Sequence, residues 1–154
     1  MISGDTIAAI ATAPGRGGVA VVRVSGPEAL SIANRLTGHL PQVGRIAVSR
    51  ISSLASLSRL SSLTSETSLT SNTSFSRETS LARKVVIDEC VVLAFKSPRS
   101  YTGEDVVEFQ CHGGAVTPRR VLAACLAAGA RLARRGEFTQ RAFLNGKLDY
   151  DQSK

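Results

Sequence analysis

SYTGEDVVEFQCHGG, residues 100–114, is the stretch whose reading decides the fold. A turn-rich loop runs into a short alternating strand, and the strand runs into a His-Gly-Gly loop. Alternation puts Val107, Phe109 and Cys111 on one face and Glu108, Gln110 and His112 on the other. The first face reads as core. The second carries a carboxylate, an amide and an imidazole in file, which is a binding signal if it faces a pocket and a plain sheet surface if it faces water.

Working outward, residues 6–12 and 19–24 read as further strands joined by APGRGG. Gly15-x-Gly17-x-x-Ala20 matches a dinucleotide-binding pattern in spacing, but that pattern needs a helix after the glycines. VAVVRV follows instead and is β-branched, so a hairpin is expected. Ser25-Gly26-Pro27-Glu28 has the form of a capping box opening a helix through about Leu36. Its buried stripe would be Ala29, Leu30, Ala33 and Leu36. Residues 43–50 read as a strand. Residues 85–96 read as strand, turn and strand, or as one long bent strand. Thr117-Pro118 opens a second helix with Val121, Leu122, Cys125 and Leu126 inward, ending near Gly129. Residues 137–145 form a third, stopped by Gly146.

Residues 53–82 are a different kind of sequence: SLASLS, RLSSLT, SETSLT, SNTSFS, RETSLA. Six residues is neither a helical period nor a well-made core face. The expected origin is tandem expansion within a surface loop, giving a disordered insertion rich in Ser, Thr and Leu.

Bulk properties narrow the function. A chain of 154 residues supports one domain. No apolar run approaches the roughly 18 residues of a membrane span, and the N-terminus lacks the basic region of a signal peptide, so no membrane role and a soluble, intracellular protein are expected. Cys90, Cys111 and Cys125 have neither zinc nor CxxC spacing and read as buried thiols. Cys111 beside His112 is a poor nucleophile–base pair, because strand neighbours point to opposite faces. The net charge is +7 and uneven. Over residues 115–147, Arg119, Arg120, Arg131, Arg134, Arg135, Arg141 and Lys147 face Glu137 as the sole acid. Such an excess suits an anionic partner such as RNA or a polyanionic cofactor, or a solvated basic surface.

Three blocks then speak together: DTIAAIATAPGRGGVAVVRVSG (5–26), SYTGEDVVEFQCHGG (100–114) and GEFTQRAFLNGKLDYDQSK (136–154). In this order they resemble the N-terminal domain of the MnmE (TrmE) family of tRNA-modification GTPases. The resemblance implies an α+β fold, a mixed sheet with helices packed on it, related to the tetrahydrofolate-binding domain of aminomethyltransferases. It implies residues 1–147 as a folate-binding and dimerisation domain carrying the 53–82 insertion. Residues 148–154 would begin a truncated helical domain. It implies a homodimer, an MnmG-like flavoprotein partner, and tRNA bound mainly through other parts of the assembly. The cofactor would be a tetrahydrofolate derivative, 5-formyl- or 5,10-methylene-tetrahydrofolate, donating one carbon to the wobble uridine. No GxxxxGK[ST] phosphate loop occurs in these residues, so GTP, Mg and K would belong to a GTPase domain outside them. Bacterial members are cytoplasmic and eukaryotic ones organellar.

The family's folate-contacting positions match Arg23 in VVRVSG, Glu108 in DVVEFQ and Lys147 in FLNGKLD. A pterin presents adjacent N–H donors that a carboxylate meets with two parallel hydrogen bonds, and folate's glutamate tail calls for Lys or Arg. Glu108 is therefore expected at the pterin edge, with Arg23 and Lys147 orienting the ring or neutralising the tail. Each also has a structural reading: Arg23 and Glu108 as a salt bridge, Lys147 as a cation at a helix C-terminus. His112 is either a ligand-side or a satisfied structural histidine. No nucleophile, base and orienter occur together, so the segment is not expected to catalyse alone. An aminomethyltransferase-like enzyme and a basic RNA-binding module are the competing readings.

Overall fold

The computed structural model describes residues 4–13, 15, 17–55 and 83–148. Strands β1 (Ile7–Ile10), β2 (Val19–Ser25), β3 (Ile46–Ala55), β4 (Arg83–Phe95), β5 (Val106–His112) and β6 (Arg131–Leu132) form one mixed sheet. Their order is β3-β4-β5-β2-β1-β6. Neighbours are antiparallel except β1 and β6. Helices are α1 (Ala29–Thr37), α2 (Thr117–Ala127) and α3 (Glu137–Leu144), so the fold is α+β.

Residues 100–114 behave as their alternation dictates. Val107, Phe109 and Cys111 are buried, Glu108 and Gln110 half-buried, and His112 exposed. β5 lies inside the sheet, between β4 and β2. Its apolar face joins Val22, Val24 and Val92 beneath Ile32 and Ala33 of α1 and Val121 and Cys125 of α2. Burial of such side chains contributes roughly 1.5–3 kcal/mol each. Ile7, Val106 and Ala142 are also buried but stand outside this cluster, and by alternation Ile7 and Val106 look to the opposite face. α3 is associated with that second face, where Phe138 meets Arg23 of β2.

APGRGG joins two antiparallel strands, with Ile7 opposite Ser25 and Ile10 opposite Val22. No helix follows these glycines, so the dinucleotide spacing is coincidental. The capping box does not form. Ser25 is still in β2, and its hydroxyl meets Thr102 Oγ1 and Glu104 Oε2, both at 2.7 Å. Thr6 Oγ1 accepts the Glu28 N–H instead, at 2.9 Å. Tertiary partners took both ends of the local motif. Gly26 makes that junction possible: its φ is +132°, and a Cβ there would lie 2.7 Å from the Asp5 carbonyl oxygen.

Other boundaries move. The strand expected from residue 43 starts at Ile46, and Val43 makes only an isolated bridge to Ala94. Residues 83–95 are one strand, with a register irregularity opposite Ile51/Ser52. β6 was not expected, being too short to show alternation. The α1 stripe is Ala29, Ile32, Ala33 and Leu36, and α2 buries Pro118, Val121, Ala124 and Cys125. Leu30, Leu122 and Leu126 pack at the margin of the core. Ser53, Leu54 and Ala55, the first residues of the hexad stretch, pair with Val85, Lys84 and Arg83 in the sheet. The rest of the stretch lies outside the described residues.

Candidate functional site

Arg23 and Glu108 are register partners on β2 and β5. Arg23 Nε donates to Glu108 Oε1 at 2.8 Å. The side chains are 23% and 17% exposed, so the pair is neither solvated nor sealed. The salt-bridge reading of these residues is therefore realised. Arg23 also sits 4.9 Å from the Tyr101 ring centroid and 5.6 Å from that of Phe138, within cation–π range. Rings and ion pair together fix the guanidinium. Glu108 Oε2 makes no hydrogen bond among the described residues.

Glu108 and Lys147 line one cleft of about 400 Å³ with Phe95, Arg99, Ser100 and Tyr101. Lys147 Nζ donates to the Pro98 carbonyl at 3.0 Å. Arg23 lines a neighbouring cleft of about 390 Å³ with Arg134, Arg135 and Phe138, and Tyr101 lines both. The three residues singled out in sequence thus gather on two adjoining clefts about one tyrosine. Two larger cavities, of about 710 and 730 Å³, lie between the helices and the β3–β4 pair and beside the glycine loops. Neither includes Arg23, Glu108 or Lys147.

The walls beyond the strands are held by charge. Arg141, 3% exposed at its side chain, bonds Asp5 Oδ1 at 2.7 Å, Glu104 at 3.2 Å and Glu137 Oε1 at 3.3 Å. Arg131 meets Asp5 at 2.7 Å and Glu137 at 2.6 Å. Hydrogen bonds from Arg131, working against burial and aided by the Arg134 N–H and Arg141, bring Glu137 down to about 2. Two of the arginines read as an anion-attracting surface, Arg131 and the buried Arg141, are therefore paired with carboxylates of the domain itself. Arg119, Arg120, Arg134 and Arg135 are exposed.

His112 is structural in its contacts. Its backbone N–H and Nδ1 both meet the Asp88 carboxylate at 2.8 Å. Burial would raise Asp88, but these bonds and one from the Glu89 N–H hold it below its ordinary range. Burial raises all three thiols, Cys125 to about 12, and Cys111 Sγ donates to the Ala20 carbonyl at 3.4 Å. No cysteine here is poised as a nucleophile. Tyr101, Phe138 and Arg99 escaped the sequence reading. Tyr101 was findable: a loop aromatic just before the key strand, in a chain with only two tyrosines.

A mixed sheet with two adjoining clefts lined by charged and aromatic side chains defines an α+β domain with a candidate ligand site. The family model described as GTP-binding protein TrmE N-terminus matches residues 6–43 and 37–147, and the chain belongs to that family. Its relatives include the tRNA modification GTPase MnmE of Chlamydia trachomatis serovar L2, 43% identical over 155 residues, which cover 99% of this chain and 29% of the relative. The MnmE proteins of Azoarcus sp. and Symbiobacterium thermophilum are 47% and 44% identical over 149 residues. The chain spans under a third of the length of these relatives.

Proposed function

We propose that this chain is the reduced-folate-binding and dimerising domain of a tRNA wobble-uridine modification GTPase, with residues 1–147 as the domain, 53–82 as its insertion and 148–154 leading into a helical domain. The observation that carries the reading is the cleft shared by Glu108 and Lys147, with Arg23 fixing the carboxylate from behind. Glu108 offers Oε2, and the remaining capacity of Oε1, to adjacent N–H donors of a pterin. Lys147 and Arg99 supply the charge that a glutamate tail requires. The residues present therefore fit a tetrahydrofolate derivative, which when bound carries the one-carbon unit. The fold would be that of the aminomethyltransferase folate domains. GTP, Mg and K would act elsewhere in the longer protein.

The partner reading follows from the same surface. Ile46 and Val48 are 75% and 65% exposed and face Leu93 and Val91 across β3 and β4. An exposed apolar sheet face of this kind suits a second copy of the chain. An MnmG-like flavoprotein and tRNA would complete the assembly, in the cytoplasm of a bacterium. No helix among the described residues is long and apolar enough to cross a membrane.

Equilibrium dialysis of the 154-residue chain against 5-formyl-tetrahydrofolate tests the ligand. Saturable one-to-one binding is expected, and its absence overturns the folate reading. One observation favours a second reading, an RNA-binding module. Arg119, Arg120, Arg134 and Arg135 make no ion pair among the described residues. Under that reading affinity for tRNA falls steeply with salt, and a flat salt dependence removes it.

A further inference from the structure

We infer that Glu104 and Arg141 are positioning residues for the cleft, acting through the wall that carries Tyr101 and Lys147. The inference rests on the folate reading for its ligand, and on geometry for the rest. Glu108 and Arg23 stand on neighbouring strands, whose ladder fixes them. Tyr101 and Lys147 have no such support. Tyr101 belongs to the loop before β5, and Lys147 follows α3.

The two are joined by a row of cross-links between loop and helix. Tyr101 Oη lies 3.0 Å from Thr139 Oγ1. Asn145 Nδ2 donates to the Thr102 carbonyl at 2.7 Å. Lys147 Nζ donates to the Pro98 carbonyl at 3.0 Å. These three are part-buried or exposed, where water competes with every bond. The fourth is a pair of opposite charges. Arg141 Nη1 lies 3.2 Å from both oxygens of Glu104, and Glu104 Oε2 also accepts from Ser25 at the end of β2. The same guanidinium donates to the Asp5 carbonyl and carboxylate at 3.0 and 2.7 Å. Arg141, 3% exposed at its side chain, thus joins the buried Ser25–Thr102 hydrogen bond in tying the loop–helix unit to β2 and to Asp5 just before β1. The row leaves little slack: a Cβ at Gly103 would lie 2.9 Å from Asn145 Cβ. Shifting Glu104 moves Tyr101 and Lys147 relative to Glu108, and that separation is what a ligand spanning the cleft would measure. Misplacement by about an ångström is costly at a site built on such contacts.

A double-mutant cycle on the 154-residue chain tests this. Glu104→Gln keeps an acceptor for Ser25 and removes the charge that orders Arg141. Its affinity for 5-formyl-tetrahydrofolate is expected to fall about tenfold, while Glu104→Gln in a Lys147→Ala background loses less than threefold more. A role in stability alone would lower the melting temperature without making the two substitutions non-additive. Unchanged affinity, or full additivity, overturns the inference. Should Glu104→Gln fail to fold, Asn145→Ala breaks a neighbouring link at an exposed residue and is expected to show the same non-additivity with Lys147→Ala. Should the wild type not bind the folate, the ligand reading fails by itself. The positioning claim is then read from the 19F resonance of 3-fluorotyrosine at Tyr101. A shift in Glu104→Gln or Asn145→Ala supports it, and an unmoved resonance overturns it.

Discussion

Glu137 shows how single residues set the conditions under which the cleft exists. Its carboxyl is brought from 4.5 to about 2, chiefly by Arg131. A depressed carboxylate stabilises the fold above its unfolded value and loses that contribution as pH falls through the folded one. Stability is therefore expected to decline between about pH 4.5 and pH 2, and Glu137→Gln to flatten that part of the curve, as urea denaturation across pH would show. Asp88, also depressed by its partners, adds to the same slope. Arg141 is the more severe position. Arg141→Met takes from Glu104 its cation and leaves Asp5 and Glu137 with Arg131 alone, at a cost of about 3–5 kcal/mol, measurable as a lower urea midpoint. The thiols give an independent check on burial. Cys90, Cys111 and Cys125 are expected to react with Ellman's reagent only at the rate of opening, and to react fully in urea.

At the scale of elements, what was legible and what was not divides by where the partners lie. The faces of β5 could be read because alternation is a local property and its outcome is decided by one sheet. The hairpin was legible because VAVVRV resists a helix. Ser25 and Glu28 were misread because the capping box competes with distant groups: Thr102 and Glu104, more than 70 residues on, hold the Ser25 hydroxyl, and Thr6 takes the Glu28 N–H. β6 is two residues long and owes its existence to the backbone of Thr6 and Ala8, which no local pattern announces. The candidate site shows the same division. Charge types at Arg23, Glu108 and Lys147 were readable, and cross-strand register brings the first two together. Tyr101 and Phe138 join them through a loop and a helix whose placement depends on Arg141. The glycine loops offer a test at this scale. A Cβ on Gly113 would run into the Gly17 carbonyl, so Gly113→Ala must push the 113–116 loop off the β1–β2 turn. A loss of about 1–3 kcal/mol is expected, seen in thermal unfolding, with ligand affinity unaffected because neither loop lines the Glu108 cleft.

For the whole molecule, α1 and α2 cover one face of the sheet, and the proposed ligand and partner surfaces share the other with α3. The β3–β4 end of that face is apolar and exposed, and the Glu108 cleft lies further along it. Ile46→Glu with Val48→Glu is expected to convert a dimer to a monomer in sedimentation velocity. A wild type that is already monomeric at micromolar concentration would remove the dimer from the account. The basic excess of residues 115–147 is smaller at the surface than the sequence suggests, because Arg131 and Arg141 pair with Asp5 and Glu137.

The central claim is that Glu108 reads the donor edge of a pterin, and calorimetric titration with 5-formyl-tetrahydrofolate addresses it most directly. Glu108→Gln keeps the size and replaces one acceptor with a donor that opposes the ligand's own. Losing charge-assisted bonds of about 1.5–3 kcal/mol corresponds to roughly 10- to 100-fold weaker binding, with the fold intact by circular dichroism. Equal affinity in wild type and Glu108→Gln would contradict the account.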